Sequence, residues 1–367
     1  MPRPELANIL SLLEKQIPAQ KITLGFDGFV DTIARVIKTK EAEKPPTYFE
    51  TVAEFGQYFL EKSGRNSSIE LEEQTTKLGG NMPIMANALA RYGCDVSSLG
   101  AMGYPKLHPV FEAMAGTCKC HSFAAPGLSS ALEFSDGKIM LGQMKTLQEL
   151  DWELIKSRLG SEVIIELFHN SDLIAALNWS ELDQSSAIWR GLLTEVLPHC
   201  VREQRPIGFF DLSDCSKRSE SALLEMLELL TAFAEYWQVV LSLNLNEAET
   251  LYKIVASQSA ANAGLSKIGE VLFEHLNIQN LVIHHALEAM SWSSKGYCIQ
   301  KANFVEKPKI VTGAGDHFNA GYCLALLLDL DDSNALLLGH ATAYYYLNTG
   351  LSPDFQGLKN TIKTFQA

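Results

Sequence analysis

Several stretches of this chain set carboxylates or amides beside glycine at spacings that suit work on an anion or a hydroxyl. The densest is Lys309-Ile310-Val311-Thr312-Gly313-Ala314-Gly315-Asp316-His317-Phe318-Asn319-Ala320-Gly321. Pro308 ends what precedes it, and Ile310 and Val311 read as the tail of a short extended segment. Gly313 and Gly315 permit a tight turn and a close approach of backbone to ligand. From Phe318 to Leu328 the chain is apolar almost all round, the pattern of a buried helix. The glycines therefore fall at a helix N-terminus, where unpaired N–H groups and the macrodipole favour an anion. Asp316 lies in the first turn. A carboxylate beside a bound phosphate suits proton abstraction better than binding. The plainer reading makes Asp316 an N-cap preceded by glycines.

Three further stretches have the same character. Asp27 and Asp31 stand four apart around Gly28, after an apolar run at 21–26. Strand ends of this kind face ligands in α/β folds, although a solvated turn with an Asx bond fits the residues equally. Gly79-Gly80-Asn81 precedes a helix that runs to about Tyr92, with Pro83 in its first turn and Gly93 as C-cap. Such a loop faces an anion or a hydroxyl. Asn244-Leu245-Asn246-Glu247 follows an apolar run at 238–243. An amide and a carboxylate three apart can orient Mg²⁺-bound water, or simply cap the next helix. The pair His284-His285 points to opposite faces of a strand, so a structural role fits it better than joint metal ligation. Cys118-Lys119-Cys120-His121 has no second ligand pair at zinc spacing.

The elements that must hold these residues alternate. Extended runs are expected at 21–26, 95–101, 172–177, 207–211, 238–243 and 280–284. Helices are expected at 51–62, 81–92, 185–198, 219–236, 246–255 and 335–348. Strand–helix alternation predicts a doubly wound, mainly parallel sheet flanked by helices. Ser135-Asp136-Gly137 between 130–134 and 138–141 signals a β-hairpin.

In this order the acids near the N-terminus, Gly-Gly-Asn, the hairpin, Asn-x-x-Glu and Gly-Ala-Gly-Asp resemble the motifs of the ribokinase-like (PfkB) family of carbohydrate kinases. The resemblance spans nearly the whole chain and implies a single kinase domain over 1–367. A small β lid, drawn from about 29–50 and 121–145, would close over the sugar and exclude water. By the same resemblance the backbone of Gly313, Ala314 and Gly315 forms the hole for the transferring phosphoryl group, and Asp316 takes the proton of the sugar hydroxyl. Val30-Asp31 matches the pair that places an Asp on substrate hydroxyls, with Asp27 a second candidate. Gly79, Gly80 and Asn81 would face the sugar. Thr312, Asn244, His284, Ala286 and Asn348 would serve the nucleotide, and Glu247 the metal. ATP and Mg²⁺ are implied, together with a monovalent cation and a homodimer formed through the lid.

The departures are specific. Ile310 stands where the family often has Asp, Tyr104-Pro105 closes the Gly-x-x-Gly-x-Asp stretch without its Asp, and Ala286 and Ala289 occupy two positions that are commonly Gly. The expected activity is ATP-dependent phosphorylation of a hydroxyl of a small sugar. Two other readings remain: a kinase of a nucleoside or other small alcohol, and a ligand-binding regulator that kept the fold and lost turnover.

Composition narrows the partners. The 367 residues carry 30 basic and 43 acidic side chains, for a net charge of −13. That balance argues against nonspecific binding to nucleic acid or anionic membranes. The seven scattered cysteines suggest free thiols in a reducing compartment. The N-terminal residues read as an amphipathic helix rather than a signal peptide, and the apolar runs are too short to span a bilayer. The expected location is the cytoplasm. No P-loop, Rossmann fingerprint, His-Glu-x-x-His or Gly-x-Ser-x-Gly occurs.

Overall fold

Runs that are apolar on both faces are buried only within a sheet covered on both sides, and such runs form the middle of this molecule. The computed structural model describes residues 3–114, 116, 118–257 and 263–365. Its strands are β1 (Lys21–Phe26), β2 (Phe29–Thr39), β3 (Thr47–Tyr48), β4 (Leu71–Gly79), β5 (Asp95–Gly100), β6 (Cys118–Ser122), β7 (Gly127–Phe134), β8 (Gly137–Gln143), β9 (Leu173–Ala176), β10 (Ile207–Asp211), β11 (Gln238–Asn244), β12 (Asn280–His284), β13 (Glu288–Ser293) and β14 (Gly296–Lys301). The large sheet has the order β14-β13-β12-β11-β10-β9-β1-β5-β6. From β12 to β6 every neighbouring pair is parallel, while β13 and β14 return as an antiparallel hairpin. The doubly wound expectation holds.

Alternation along the strands divides the core. Phe209, Val240 and Val282 point into one apolar cluster, whereas Phe210, Leu241 and Ile283 point into the other. The first cluster includes α2 (Asn81–Tyr92), α4 (Ala314–Leu327) and α5 (Asp332–Thr349), with the helices Arg3–Leu13 and Phe355–Thr364. The second includes α3 (Leu245–Val255). α4 begins at Gly313, whose φ of 95° lies in the left-handed region open to glycine. It is buried from His317 to Ala325, as its apolar run requires. Gly93 closes α2 with φ 103°.

A smaller, separate sheet has the order β3-β2-β7-β8, with β4 also paired to β2. The β7–β8 hairpin turns at Ser135-Asp136, with Phe134 paired to Gly137. Its own core is Ala34, Val36, Phe49, Phe55 and Leu132, with Phe55 supplied by α1 (Val52–Glu61).

The sequence reading needs four adjustments. β4 adds 71–79 to the small sheet. Ile310 and Val311 belong to no strand; this stretch is tied instead by the Lys309 N–H to the Leu347 carbonyl, 2.8 Å. The helix expected at 185–198 breaks into an α-segment at Ser185–Gly191, a π-turn at Leu192–Val196 and a 3-10 turn at Leu197–His199, where Pro198 has no N–H to continue it. Helices between 145 and 170 and at Leu265–Leu276, and strands β6, β13 and β14, were not foreseen. No helix among the described residues is long and apolar enough to cross a membrane.

Candidate active site

Because β1, β10, β11 and β12 run parallel, their C-terminal ends open on one rim, where ligands bind in open α/β sheets. Asp27, Asp211, Asn244 and His284 lie at those ends, and the N-terminus of α4 meets them. A polar cavity of about 210 Å³ is lined there by Asp211, Asp214, Asn244, Glu247, Gly315 and Asp316, among others. It adjoins a cleft of about 790 Å³. Asn244, His284 and Gly315 border both. The Gly313–Asp316 turn thus sits at a junction between a small acidic space and a large, mostly apolar one.

Asp211 is firmly anchored on the rim. Its Oδ1 accepts from Asn81 Nδ2 and from the Ser213 N–H, each at 3.0 Å. Its Oδ2 accepts from Asn319 Nδ2 at 2.7 Å, and Asn319 Oδ1 accepts from the Ser242 hydroxyl at 2.7 Å. Burial raises its pKa, against the pull of those donors. In the sequence Asp211 is simply the last residue of the extended run at 207–211. The two partner amides lie far off in the chain, so no local signal marks Asp211.

Asp316 is pushed well above the usual carboxylate range, first by burial and then by the charges of Asp211 and Asp27. Glu247 is raised in the same way by burial and by Asp211. Asn244 and Glu247 form a capping box at the start of α3: the Glu247 N–H donates to Asn244 Oδ1 at 3.0 Å, and the Asn244 N–H donates to Glu247 Oε2 at 2.9 Å. The capping reading therefore holds, and both residues also line the polar cavity.

Asp27 is corrected to a structural role. It is fully buried, and its carboxylate accepts from the N–H groups of Asn81 (2.9 Å) and Met82 (2.8 Å) and from Asn178 Nδ2 (2.7 Å). It holds the N-terminus of α2 in place. Burial lifts it to about 6. Asn81 likewise gives its amide to Asp211, while keeping a place on the wall of the polar cavity. Asp31 sits on β2, between Lys77 of β4 and Ser129 of β7 in register. Its pKa is raised by burial, with Lys77 and Lys138 opposing. A Cβ at position 79 would stand 2.3 Å from the Asp31 carboxyl carbon, so only glycine admits that carboxylate. Gly80 follows with φ 91° and begins α2.

On the side of the large cleft, His284 and Ala286 line the wall, and burial depresses His284 to about 4, so it is a neutral ring. A helical stripe of His340, Ala343, Tyr344 and Leu347 lines the same cleft, with Phe304. Asn348 is not on this wall: it is exposed, and its amide donates to the Tyr344 carbonyl at 2.8 Å. Thr312 does not line the cleft either; its carbonyl accepts from the Tyr346 hydroxyl at 2.7 Å. The turn is braced further by His317, whose Nδ1 lies 2.6 Å from the Gly313 carbonyl and whose ring stacks on Tyr346 at 3.7 Å.

The chain is similar to known proteins over nearly its whole length. A family model described as prokaryotic ketohexokinase matches residues 5–365. A ketohexokinase of Haloferax volcanii is 27% identical over 349 residues, covering 95% of this chain and 92% of its own. The adenosine kinase from Sinorhizobium meliloti superposes with a TM-score of 0.65 at 16% identity, covering 94% of this chain and 98% of that one. Arabidopsis thaliana ribokinase, complexed with ribose and ATP, gives 0.64 at 14% identity with the same coverage. The two structural likenesses establish the ribokinase-like fold.

Proposed function

This chain belongs to the prokaryotic ketohexokinase family and is a sugar kinase, and on that premise we propose that it transfers the terminal phosphoryl group of ATP to a hydroxyl of a ketohexose. The observation that carries the residue roles is the position of Asp316, at the start of α4 where the two cavities join. In this reading ATP occupies the apolar cleft, its base against the stripe from His340 to Leu347. Its terminal phosphate reaches the N–H groups of Gly313, Ala314 and Gly315, which act as the anion hole. The acceptor lies on the far side, bounded by Asp31 and the Gly79-Gly80-Asn81 loop. Asp316 takes the hydroxyl proton as the acceptor oxygen attacks phosphorus in line. Burial and its acidic neighbours raise its pKa, which makes the carboxylate a stronger proton acceptor than an exposed one.

Mg²⁺ fits the acidic cavity. Asp211, Asp214 and Glu247 bring three carboxylates to one small polar space, and like charges there relax when a cation enters. Among the described residues no three are grouped to ligate a metal directly, which suits an ion that keeps several of its waters. When bound, the ion supplies charge neutralisation to the phosphates. A cytoplasmic location accords with seven free thiols. Pairing of two copies through the small sheet is supported by the exposed Leu128 and Leu141 on β7 and β8.

The test is a screen for ADP release with ketohexoses, aldoses and nucleosides as acceptors. Turnover highest with a ketohexose is expected. Preference for a nucleoside, or nucleotide binding without turnover on any acceptor, would replace this reading.

A further inference from the structure

The residues assigned so far come from the large sheet and from the edge of the small one, and nearly all are acidic or neutral. Asp31, Asp211, Glu247 and Asp316 together present negative charge to a site that must hold a phosphoryl group. Two ammonium groups reach this place, and both are carried by the small sheet. Lys77 lies on β4 opposite Asp31, and its Nζ is 3.4 Å from the Tyr346 hydroxyl. Lys138 lies on β8, just past the hairpin turn, and its Nζ donates to Thr312 Oγ1 at 3.1 Å. Tyr346 in turn donates to the Thr312 carbonyl. Two strands distant in sequence therefore converge on Thr312, the residue before the Gly313 turn.

The satisfaction of these groups is uneven. An ammonium has three donors. Lys77 is half-buried, yet among the described residues no carboxylate oxygen lies within 4.0 Å of its Nζ, and its hydrogen bond to Tyr346 is long. Lys138 has Glu133 at 3.6 Å, its side chain only 22% exposed. Burial depresses Lys77, while Asp31, Glu133 and Asp316 hold its charge. A cation kept in place with donors left over is arranged for an anion that arrives later.

We propose that Lys77 and Lys138 bind the phosphoryl group during its transfer, so that the anion site is complete only while the small sheet lies over the cleft. This rests on the kinase reading above and extends it. As the bond from phosphorus to the leaving ADP oxygen breaks and the bond to the acceptor oxygen forms, the acceptor proton passes to Asp316. The charge on the equatorial phosphoryl oxygens then falls between the N–H groups of the turn and the two ammoniums. Without the small sheet in place the phosphoryl group meets the N–H groups and a ring of carboxylates, and transfer to water is disfavoured.

The experiment compares wild type with Lys77→Met, Lys138→Met and both Lys→Arg variants. Each Met variant should lose about 10²-fold in kcat, with KM for ketose and ATP changed less than about threefold, and Arg should restore most of the loss. ADP with fluoroaluminate and ketose, a planar mimic of the phosphoryl group, should bind at least about tenfold more weakly to Lys138→Met. ADP alone should bind as before. Unchanged kcat in the Met variants overturns the proposal. So does a loss confined to ketose KM with normal fluoroaluminate binding, which would assign the lysines to a group on the acceptor. If Lys77→Met does not fold, Lys138→Met decides the matter, because its side chain leaves from an exposed hairpin. Wild type inactive on every ketose would sink the kinase reading itself; active wild type with unaffected lysine variants sinks this inference alone.

Discussion

Along β10 every side chain from Gly208 to Asp211 is buried, whereas along β4 those from Leu71 to Thr76 are exposed or half-buried. The difference runs through both sheets. The floor of the cleft rests on two broad apolar clusters that include Trp189, Phe210 and Phe233 on one face and Phe209, Phe318 and Tyr322 on the other. The small sheet has five buried core residues and a fringe of ion pairs: Arg35–Glu50, Lys38–Glu54 and Lys40–Glu70. Hydrophobic burial scales with area, while exposed ion pairs contribute little. The large sheet is therefore expected to be the more stable part, and the small sheet the less stable. The proposed mechanism uses that division: the Gly313 turn would stay fixed while the small sheet moves to admit substrate.

Substitutions at either end of this contrast test it. Phe210→Ala should show the largest change in stability. Phe210 is fully buried against Trp189 at 4.9 Å and Phe233 at 5.0 Å between ring centroids. Truncation of such a ring costs about 3–5 kcal/mol, to be read from denaturant unfolding. A loss under about 1 kcal/mol would show that the floor is not the stable region.

An intermediate effect is expected in the pH profile. Burial and acidic neighbours raise the pKa of Asp316, so its proton is lost only above the ordinary carboxylate range. The base is competent above that raised pKa and is lost as pH falls through it. The acid limb of kcat/KM, measured with both substrates below saturation, should therefore sit clearly higher than about 4. A limb at the ordinary carboxylate value would mean that the free enzyme does not hold the carboxyl as described. The smallest effect is assigned to Lys40→Ala, which removes an exposed 2.6 Å pair with Glu70. The melting temperature should move by less than about 1 °C. A shift of several degrees would make surface charge a main support of the small sheet.

The sequence disclosed the large sheet better than the small one. β1, β10 and β12 are continuous apolar runs bounded by turn residues, so their limits could be read directly. Gly313 and Asp316 were legible because a buried helix must start somewhere and glycine marks the place. β4, by contrast, reads Leu-Glu-Glu-Gln-Thr-Thr-Lys-Leu-Gly. It has no alternation of its own and becomes a strand through its pairing with β2, a tertiary effect that propensity does not carry. Lys77 and Lys138 were invisible for the same reason. Asp27 was misjudged because capping of α2 by a residue 54 positions earlier leaves no local trace. Asn348 was misplaced by helix phase: the cleft-facing positions are 340, 343, 344 and 347, a spacing that could have been used.

The most direct measurement is kcat for Asp316→Asn beside wild type, at saturating ATP, Mg²⁺ and ketohexose, with ADP binding as a control for an intact cleft. The amide keeps the shape but cannot take the hydroxyl proton, so kcat should fall by about 10²–10⁴-fold while ADP binds as before. Turnover within a few-fold of wild type would contradict the assignment of the base.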